Sequence, residues 1–118
     1  MPGPRGEPRQ RLRRADFLRA TRRGRRVETG YFRVFVLRRE DGGATRLGIT
    51  VTRKVGKAVF RNRIKRLVRE WFRDRDHGMG SCDLIVVAKR AFPTGLSQRE
   101  VARDLEQGLA RLTRASVS

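Results

Sequence analysis

The spacing of apolar residues predicts three helices. The first, over residues 12–23, is followed by Gly24, a residue that commonly ends helices. In the second, over residues 57–73, apolar side chains recur at steps of three, four and seven and therefore share one side. They are Phe60, Ile64, Leu67, Val68 and Trp71. The closing helix begins at a capping box made by Ser97 and Glu100. Its apolar stripe consists of Val101, Leu105, Leu109 and Leu112.

Other segments have the composition of β-strands. Residues 31–39 are rich in aromatic and β-branched side chains, and residues 46–54 alternate between apolar and small or polar positions. The Asp-Gly-Gly sequence at 41–43 predicts a hairpin that pairs these two strands. Residues 82–90 are an almost continuous apolar run, which is typical of a strand buried on both faces. An extra short strand near Arg25–Glu28 would make four.

These elements predict an α+β sandwich in which a roughly four-stranded mixed sheet is packed with three helices. The length of 118 residues fits a single domain, which we assign to residues 11–113. Residues 1–10 contain three prolines and two glycines and indicate a disordered basic tail, and residues 114–118 a flexible one. No apolar run approaches the roughly 20 residues of a membrane span, and no apolar segment follows the basic N-terminus. We therefore expect a cytoplasmic protein without a membrane partner.

The net charge of +18 is concentrated in two segments. Residues 5–26 contain ten arginines and only two acids, and residues 53–73 contain nine basic residues and one acid, Glu70. A surface that serves solubility alone would mix the two signs. Arginine forks match phosphate oxygens in pairs and stack on bases. A nucleic acid is the expected partner, and an anionic membrane surface is the less favoured alternative.

Side chains that could break bonds are scarce. The chain has one cysteine, Cys82, and one histidine, His77, with no Ser-His-Asp set and no carboxylate cluster spaced for a metal. We therefore predict no catalytic and no metal-ligating residue in the protein. The patterns of common DNA-binding motifs are missing, and folded RNA is read by shape and phosphate, with aromatic rings binding unpaired bases. Phe17 and Phe35 could stack on bases if they face outward; core packing is the alternative for each.

The segment KAVFRNRIKRLVRE, residues 57–70, is more specific than composition. It resembles the signature of the protein subunit of bacterial ribonuclease P, centred on Arg61-Asn62-Arg63. The family's first helix is similar to RLRRADFLRATRRGRRV, the strand before the signature to RLGITVTRKVGKAV, and the final strand to CDLIVVAKRAF. The resemblance covers about residues 11–112.

The resemblance implies a sandwich shared with certain ribosomal protein domains, with a left-handed crossover through the signature helix, against the common rule. It implies an endonuclease whose catalyst is a large RNA with bound magnesium ions, which cuts precursor tRNA to release the 5′ leader. The protein would bind this ribonuclease P RNA and the leader, improving substrate affinity and the binding of catalytic metal ions. No obligate protein partner is expected. A structural, ribosomal-type RNA-binding protein is the alternative, and a protein-only nuclease would need clustered acids or histidines.

Carried over by position, the family's functional residues form two surfaces. Those that would face the catalytic RNA are Arg61, Asn62, Arg63, Lys65, Arg66 and Arg69. The leader would lie in a cleft between the first helix and the open face of the sheet. The residues that would line it are Phe17, Thr21, Phe35, Thr50, Thr52, Arg53, Lys54, Lys57, Lys89 and Arg90. Thr21 departs from the pattern, because many relatives have a second aromatic there. Stacking on the leader would then be weaker, or supplied by Phe35 or an arginine plane.

Overall fold

The structure is a computed structural model that describes residues 12–75 and 80–117, with side chains described as far as Leu112 in the last helix. The predicted tail over residues 1–10 and the only histidine, His77, lie outside the described residues. Within them, three helices and four strands follow one another. In chain order they are α1 (Arg14–Arg23), β1 (Arg25–Glu28), β2 (Phe32–Arg38), β3 (Arg46–Thr50), α2 (Ala58–Asp74), β4 (Cys82–Ala88) and α3 (Gln98–Val117).

The predicted elements are present, and the short extra strand is β1. The capping box of α3 is formed as predicted: the Ser97 amide donates to Glu100 Oε1 at 2.9 Å, and the Glu100 amide donates to Ser97 Oγ at 3.1 Å. Three strands are shorter than predicted. β2 and β4 are each two residues shorter, and β3 ends at Thr50, after which residues 53–55 form a turn. The helix α3 runs to Val117 and so includes residues 114–117 of the segment predicted as a flexible tail.

The pairing of the strands differs from the prediction in one respect. The sheet order is β1-β2-β4-β3, with β1/β2 and β2/β4 antiparallel and β3/β4 parallel. The hairpin predicted between residues 31–39 and 46–54 is therefore wrong, because β4 lies between these two strands. The chain reverses direction at the Asp-Gly-Gly turn, but the two strands that flank the turn do not pair with each other. The central place goes to β4, the most apolar strand, whose Leu84, Ile85 and Val86 are fully buried.

Side chains alternate along the strands and give the sheet two different faces. One face packs against α2 and α3 and forms the main core. Its members include Phe32, Val34, Leu84, Val86, Ile64, Val68 and Leu105. The other face carries α1 and a smaller cluster centred on Ala20, Phe35 and Ile85. The helices α1 and α2 therefore lie on opposite sides of one sheet, and β4 is buried on both faces, as its apolar run predicts.

Candidate nucleic-acid interface

The helix α2 has two different sides: an apolar inner side that packs in the core and a cationic outer side that faces solvent. Ile64, Leu67, Val68 and Trp71 are buried, while Asn62, Arg66 and Arg69 are exposed and Lys65 is half-buried. The first turn contains no acid, and the helix begins after Lys57. The same 17-residue helix thus presents an apolar stripe to the sheet and a row of basic groups to solvent.

The two arginines of the signature are also bound to the protein itself. Arg61 Nε donates to the carbonyl oxygen of Gly56 at 3.0 Å, and Arg63 Nη2 donates to that of Leu96 at 3.0 Å. A guanidinium has five N–H donors, so each side chain keeps donors for a phosphate. These bonds hold the loops before α2 and α3 against the signature. The sequence did not reveal this second role, since backbone acceptors leave no mark in it.

A second set of bonds fixes α2 on α3. Trp71 Nε1 donates to Glu106 Oε2 at 2.8 Å, and Arg75 Nε donates to the same oxygen at 2.6 Å. The Arg75 guanidinium also lies over the Trp71 ring, 5.3 Å from its centre. Gln98 Nε2 donates to the Leu67 carbonyl oxygen at 3.1 Å. The cationic side of α2 is therefore held in a defined orientation.

On the other face of the sheet, the aromatic residues predicted for the cleft differ in exposure. Phe17 is half-buried and packs against Gly48 of β3, where an added Cβ would lie 2.6 Å from Phe17 Cζ. Gly48 therefore allows α1 to approach the sheet closely. Phe35 is only 8% exposed and packs beneath α1 with Ala20 and Ile85. Its ring supports the helix. Phe35 therefore packs in the smaller core cluster, the alternative considered for it, and does not face outward.

A chain of ion pairs holds α1 at this position. Asp83, which is fully buried, accepts bonds from Arg39 Nη1 at 2.7 Å and from Arg46 Nε at 2.8 Å. Arg46 Nη2 also lies 3.6 Å from Asp16 Oδ1 in α1. The pKa of Asp16 is lowered, chiefly by the Arg13 amide that donates to its carboxylate and then by Arg46 and Arg19. The pKa of Arg46 is raised, mainly by its bonds to Asp83.

The remaining polar residues predicted for the cleft lie at its rim. Thr50 is half-buried, and Thr52, Arg53, Lys54 and Lys57 are exposed in the segment between β3 and α2. Arg90 is exposed after β4. The Thr21 side chain is exposed, and its hydroxyl donates to the carbonyl oxygens of residues 17 and 18 at 3.0 and 3.1 Å. Thr21 thus offers a small polar surface where many relatives, by the resemblance, have an aromatic ring.

Lys89 belongs to a charged cluster that the sequence did not predict. Its Nζ lies 3.2 Å from Glu28 Oε1 and donates to the carbonyl oxygen of Thr29 at 2.7 Å. Arg26 Nη2 and Arg33 Nε lie 2.9 and 3.1 Å from Glu28 Oε2. These bonds, Lys89 first, lower the pKa of Glu28 to about 2. One carboxylate therefore serves three cations and leaves an excess of positive charge on the α1 side of the sheet.

Comparisons with known proteins identify the family of the chain. Residues 7–113 match the family model described as Ribonuclease P. The chain is 43% identical over 105 residues to the "Ribonuclease P protein component" of Desulforapulum autotrophicum, a match that covers 88% of each chain. It is 46% identical over 105 residues to the protein of the same name from Desulfovibrio desulfuricans, covering 86% of this chain and 81% of that one. The chain belongs to the ribonuclease P protein family.

Solved structures of ribonuclease P proteins have the same fold. The protein from Thermotoga maritima aligns with a TM-score of 0.74 at 36% identity, covering 86% of this chain and 96% of that one. A Staphylococcus aureus RNase P protein mutant, described as defective in mRNA degradation activity, aligns with a TM-score of 0.80 at 32% identity and 92% coverage of both chains. The α+β sandwich is therefore the fold of this family.

In ribonuclease P the RNA subunit cuts the precursor, and the protein is a component of the ribonucleoprotein. Among residues 12–75 and 80–117, no group of three or more His, Cys, Asp or Glu side chains is arranged to hold a metal ion. Burial raises the pKa of the Cys82 thiol, which favours its protonated form. Within the same part of the chain, no helix has both the length and the apolar character needed to cross a bilayer.

Proposed function

We propose that this ribonuclease P protein binds two RNAs at once, the catalytic RNA through α2 and the 5′ leader of precursor tRNA through the cleft beside α1. The observation that carries the proposal is that α1 and α2 pack on opposite faces of one sheet, each with cations on its outer side. A single small domain can then hold two polyanions without bringing their phosphates together. We expect it to act in the cytoplasm.

The assignment of α2 to the catalytic RNA is supported by its rigid mounting. The residues proposed to contact RNA phosphates are Arg61, Asn62, Arg63, Lys65, Arg66 and Arg69. Asn62, Arg66 and Arg69 are exposed, and within residues 12–75 and 80–112 the side chains of Lys65, Arg66 and Arg69 form no ion pair. Arginines whose helix is already fixed lose less conformational freedom on binding, which favours affinity for a structured RNA.

The assignment of the cleft to the leader is supported by one aromatic ring among cations. Phe17 is half-buried: the Cζ end of its ring packs on Gly48, and part of the residue remains exposed to solvent. A single-stranded leader can stack a base there and place its phosphates near Lys89 and Arg90 and near the segment between β3 and α2 that holds Arg53, Lys54 and Lys57. Thr50 and Thr52 offer hydroxyl groups along β3, Thr21 offers one on α1, and Phe35 supports the helix from beneath.

Magnesium is the expected metal, bound mainly by the RNA subunit. The described residues do not fit a magnesium site, because they bring no cluster of acidic side chains together and their surfaces are cationic. The protein's contribution is electrostatic: arginines and lysines that neutralise phosphates reduce the repulsion between the two RNAs, and the ions in the RNA are then bound at lower magnesium concentration.

The proposal is tested by cleavage of precursor tRNA at low magnesium with the cognate catalytic RNA. The protein alone should cut nothing, the RNA alone should be slow, and the two together should release the leader quickly. An increase in magnesium should reduce the advantage that the protein gives. If the protein stimulates no such RNA and instead accompanies ribosomes on fractionation, the structural, ribosomal-type alternative is favoured.

The leader assignment is tested separately with Phe17→Ala. Loss of one stacked base costs about 1–3 kcal/mol, so we expect about tenfold weaker binding of leader-bearing precursor to the holoenzyme and unchanged binding of mature tRNA. Leu18→Ala is the matched control, since Leu18 is the next residue of α1 and is 43% exposed. Equal losses for precursor and mature tRNA in the Phe17 variant would contradict the cleft assignment.

A further inference from the structure

A basic pocket lies at the outer edge of the sheet, away from α2. It has a volume of about 320 Å³ and is lined by Arg25, Arg26 and Val27 of β1 and by Arg111 and Leu112 of α3. Its volume is at the lower end of the roughly 300–1,000 Å³ typical of small-ligand pockets. None of the residues assigned above to the catalytic RNA or to the leader lines it.

The lining combines positive charge with an apolar floor. Three of the five lining residues are arginines and none is acidic, while Val27 and Leu112 are the apolar members. Arg25 is exposed and forms no ion pair with any residue that the structure describes. Arg111 Nη2 donates to the backbone carbonyl oxygen of Glu28. This bond orients its guanidinium beside the strand. Such a site suits a phosphate with an attached base, because the guanidinium groups match phosphate oxygens and an apolar floor accepts the face of a base.

The pocket adjoins the cationic face of the cleft only around the edge strand β1. Arg25 and Val27 pair with Val36 and Val34 and lie on the α3 side of the sheet, whereas Arg26 pairs with Phe35 and lies on the α1 side, so a strand of RNA must pass round the edge of β1 to enter the pocket. Arg26 lines the pocket and also pairs with Glu28, which in turn pairs with Arg33 and Lys89. Because the sheet order is β1-β2-β4-β3, a strand of RNA that crosses from β3 to β1 spans three inter-strand steps, about 14 Å. Along this path it meets Lys89, then Arg33, then Arg26.

The direction of the path follows from where cleavage must occur. The RNA subunit performs the cut, and α2, its proposed binding surface, packs on β3, whereas α3 packs on β1. We infer that the scissile bond lies on the side of β3, next to the surface proposed for the catalytic RNA, so that leader nucleotides that reach β1 are farther from it. We propose that the pocket at β1 binds a nucleotide of the 5′ leader beyond those held in the cleft. This inference rests on the proposed function, since it extends the leader's path.

The experiment measures binding of the reconstituted holoenzyme to precursor tRNAs whose leaders are lengthened one nucleotide at a time. For the unaltered protein, affinity should rise with leader length in the cleft and rise again when the leader reaches the pocket. In Arg25→Gln/Arg111→Gln the second rise should be lost, with about tenfold weaker binding of long leaders and no change for short ones. The slope of log affinity against log salt should become shallower by about 1.4 for long leaders only, from two lost phosphate contacts on a single strand.

Two further variants make the result interpretable. Arg25→Gln alone removes an exposed side chain that hydrogen-bonds to no other described residue, so its effect on long leaders should appear without loss of thermal stability. Arg99→Gln removes the same charge from the same helix, 12 residues or about 18 Å from Arg111, and should leave the length dependence unchanged.

Failure of the inference and failure of the proposed function give different results. If leader length has no effect even with the unaltered protein, the cleft assignment fails and the inference falls with it. If length matters but the double variant follows the unaltered curve at every length, the inference alone is overturned. It is also overturned if the variant weakens mature tRNA binding equally, or if it changes only the oligomeric state, which would identify the edge of β1 as a protein interface.

Discussion

Gly48→Ala is the substitution that most directly tests how α1 is seated on the sheet. Gly48 is buried in β3, and a Cβ built there lies 2.6 Å from Phe17 Cζ, 2.8 Å from Leu12 Cδ1 and 3.0 Å from Ile85 Cδ1. Ordinary contacts begin at 3.4 Å, so the Phe17 ring must retreat by roughly 0.8 Å. Because the ring is rigid, this retreat moves α1 or turns the ring out of its place.

Overpacking of this kind costs typically 1–3 kcal/mol, and we expect about 2 kcal/mol here. For a domain of this size that lowers Tm by about 10 °C. The loss should be confined to the α1 side of the sheet, since the main core that contains α2 lies on the other face. Affinity for leader-bearing precursor should therefore fall, while binding of the catalytic RNA by α2 stays unchanged.

Thermal unfolding measured in a double-mutant cycle checks this reasoning. In the Phe17→Ala background the closest contact is gone, so the cost of Gly48→Ala should drop to below about 1 kcal/mol. If the cost is the same in both backgrounds, the clash with Phe17 is not its cause. If Gly48→Ala weakens catalytic-RNA binding as much as leader binding, the two surfaces are not independent.

Three further predictions concern charged residues. Arg63→Ala should weaken binding of the catalytic RNA by about tenfold, measured by filter binding. An equal loss in Arg63→Lys would assign the effect to the lost bond with the Leu96 carbonyl rather than to charge. Glu28→Gln should strengthen leader binding and steepen its salt dependence, because the cations around Glu28 lose their internal counter-ion. Glu28 has a pKa of about 2, so it stays ionised as the pH falls from the neutral range, and its ion pairs weaken only when the pH approaches 2. The effect of the variant should therefore be constant between about pH 5 and 8. A pH-dependent effect in that range would contradict the assignment. Asp83→Asn should cost about 3 kcal/mol in chemical denaturation, since it leaves two largely buried arginines without their carboxylate. The exposed Asp41→Asn is its control and should change stability far less.

Much of the fold could be predicted from local patterns. The stripe of α2, the capping box at Ser97 and the short strand β1 are each determined within a few residues, because helical and strand periodicity and end-capping are local properties. The signature around Arg61-Asn62-Arg63 and the concentration of charge also predicted a protein that binds RNA. The family comparisons agree.

Other features required the tertiary structure. The partner of β3 is one example: the turn at 41–43 indicated a hairpin, but strand β4, formed later in the chain, pairs with both β2 and β3. The position of Phe35 is another, since a strand residue faces the helix or the solvent according to how α1 is placed.

Periodicity, capping and charge density are written in neighbouring residues, so the sequence by itself determined the helices, most of the strands, the two cationic segments and the family. The seating of Phe17 on Gly48, the bonds from the signature arginines to backbone carbonyls and the cluster around Glu28 join residues far apart in the chain. Such contacts depend on which buried surfaces pack together. That packing also decides which polar groups lie close enough to form hydrogen bonds or ion pairs. Only the tertiary structure decided them.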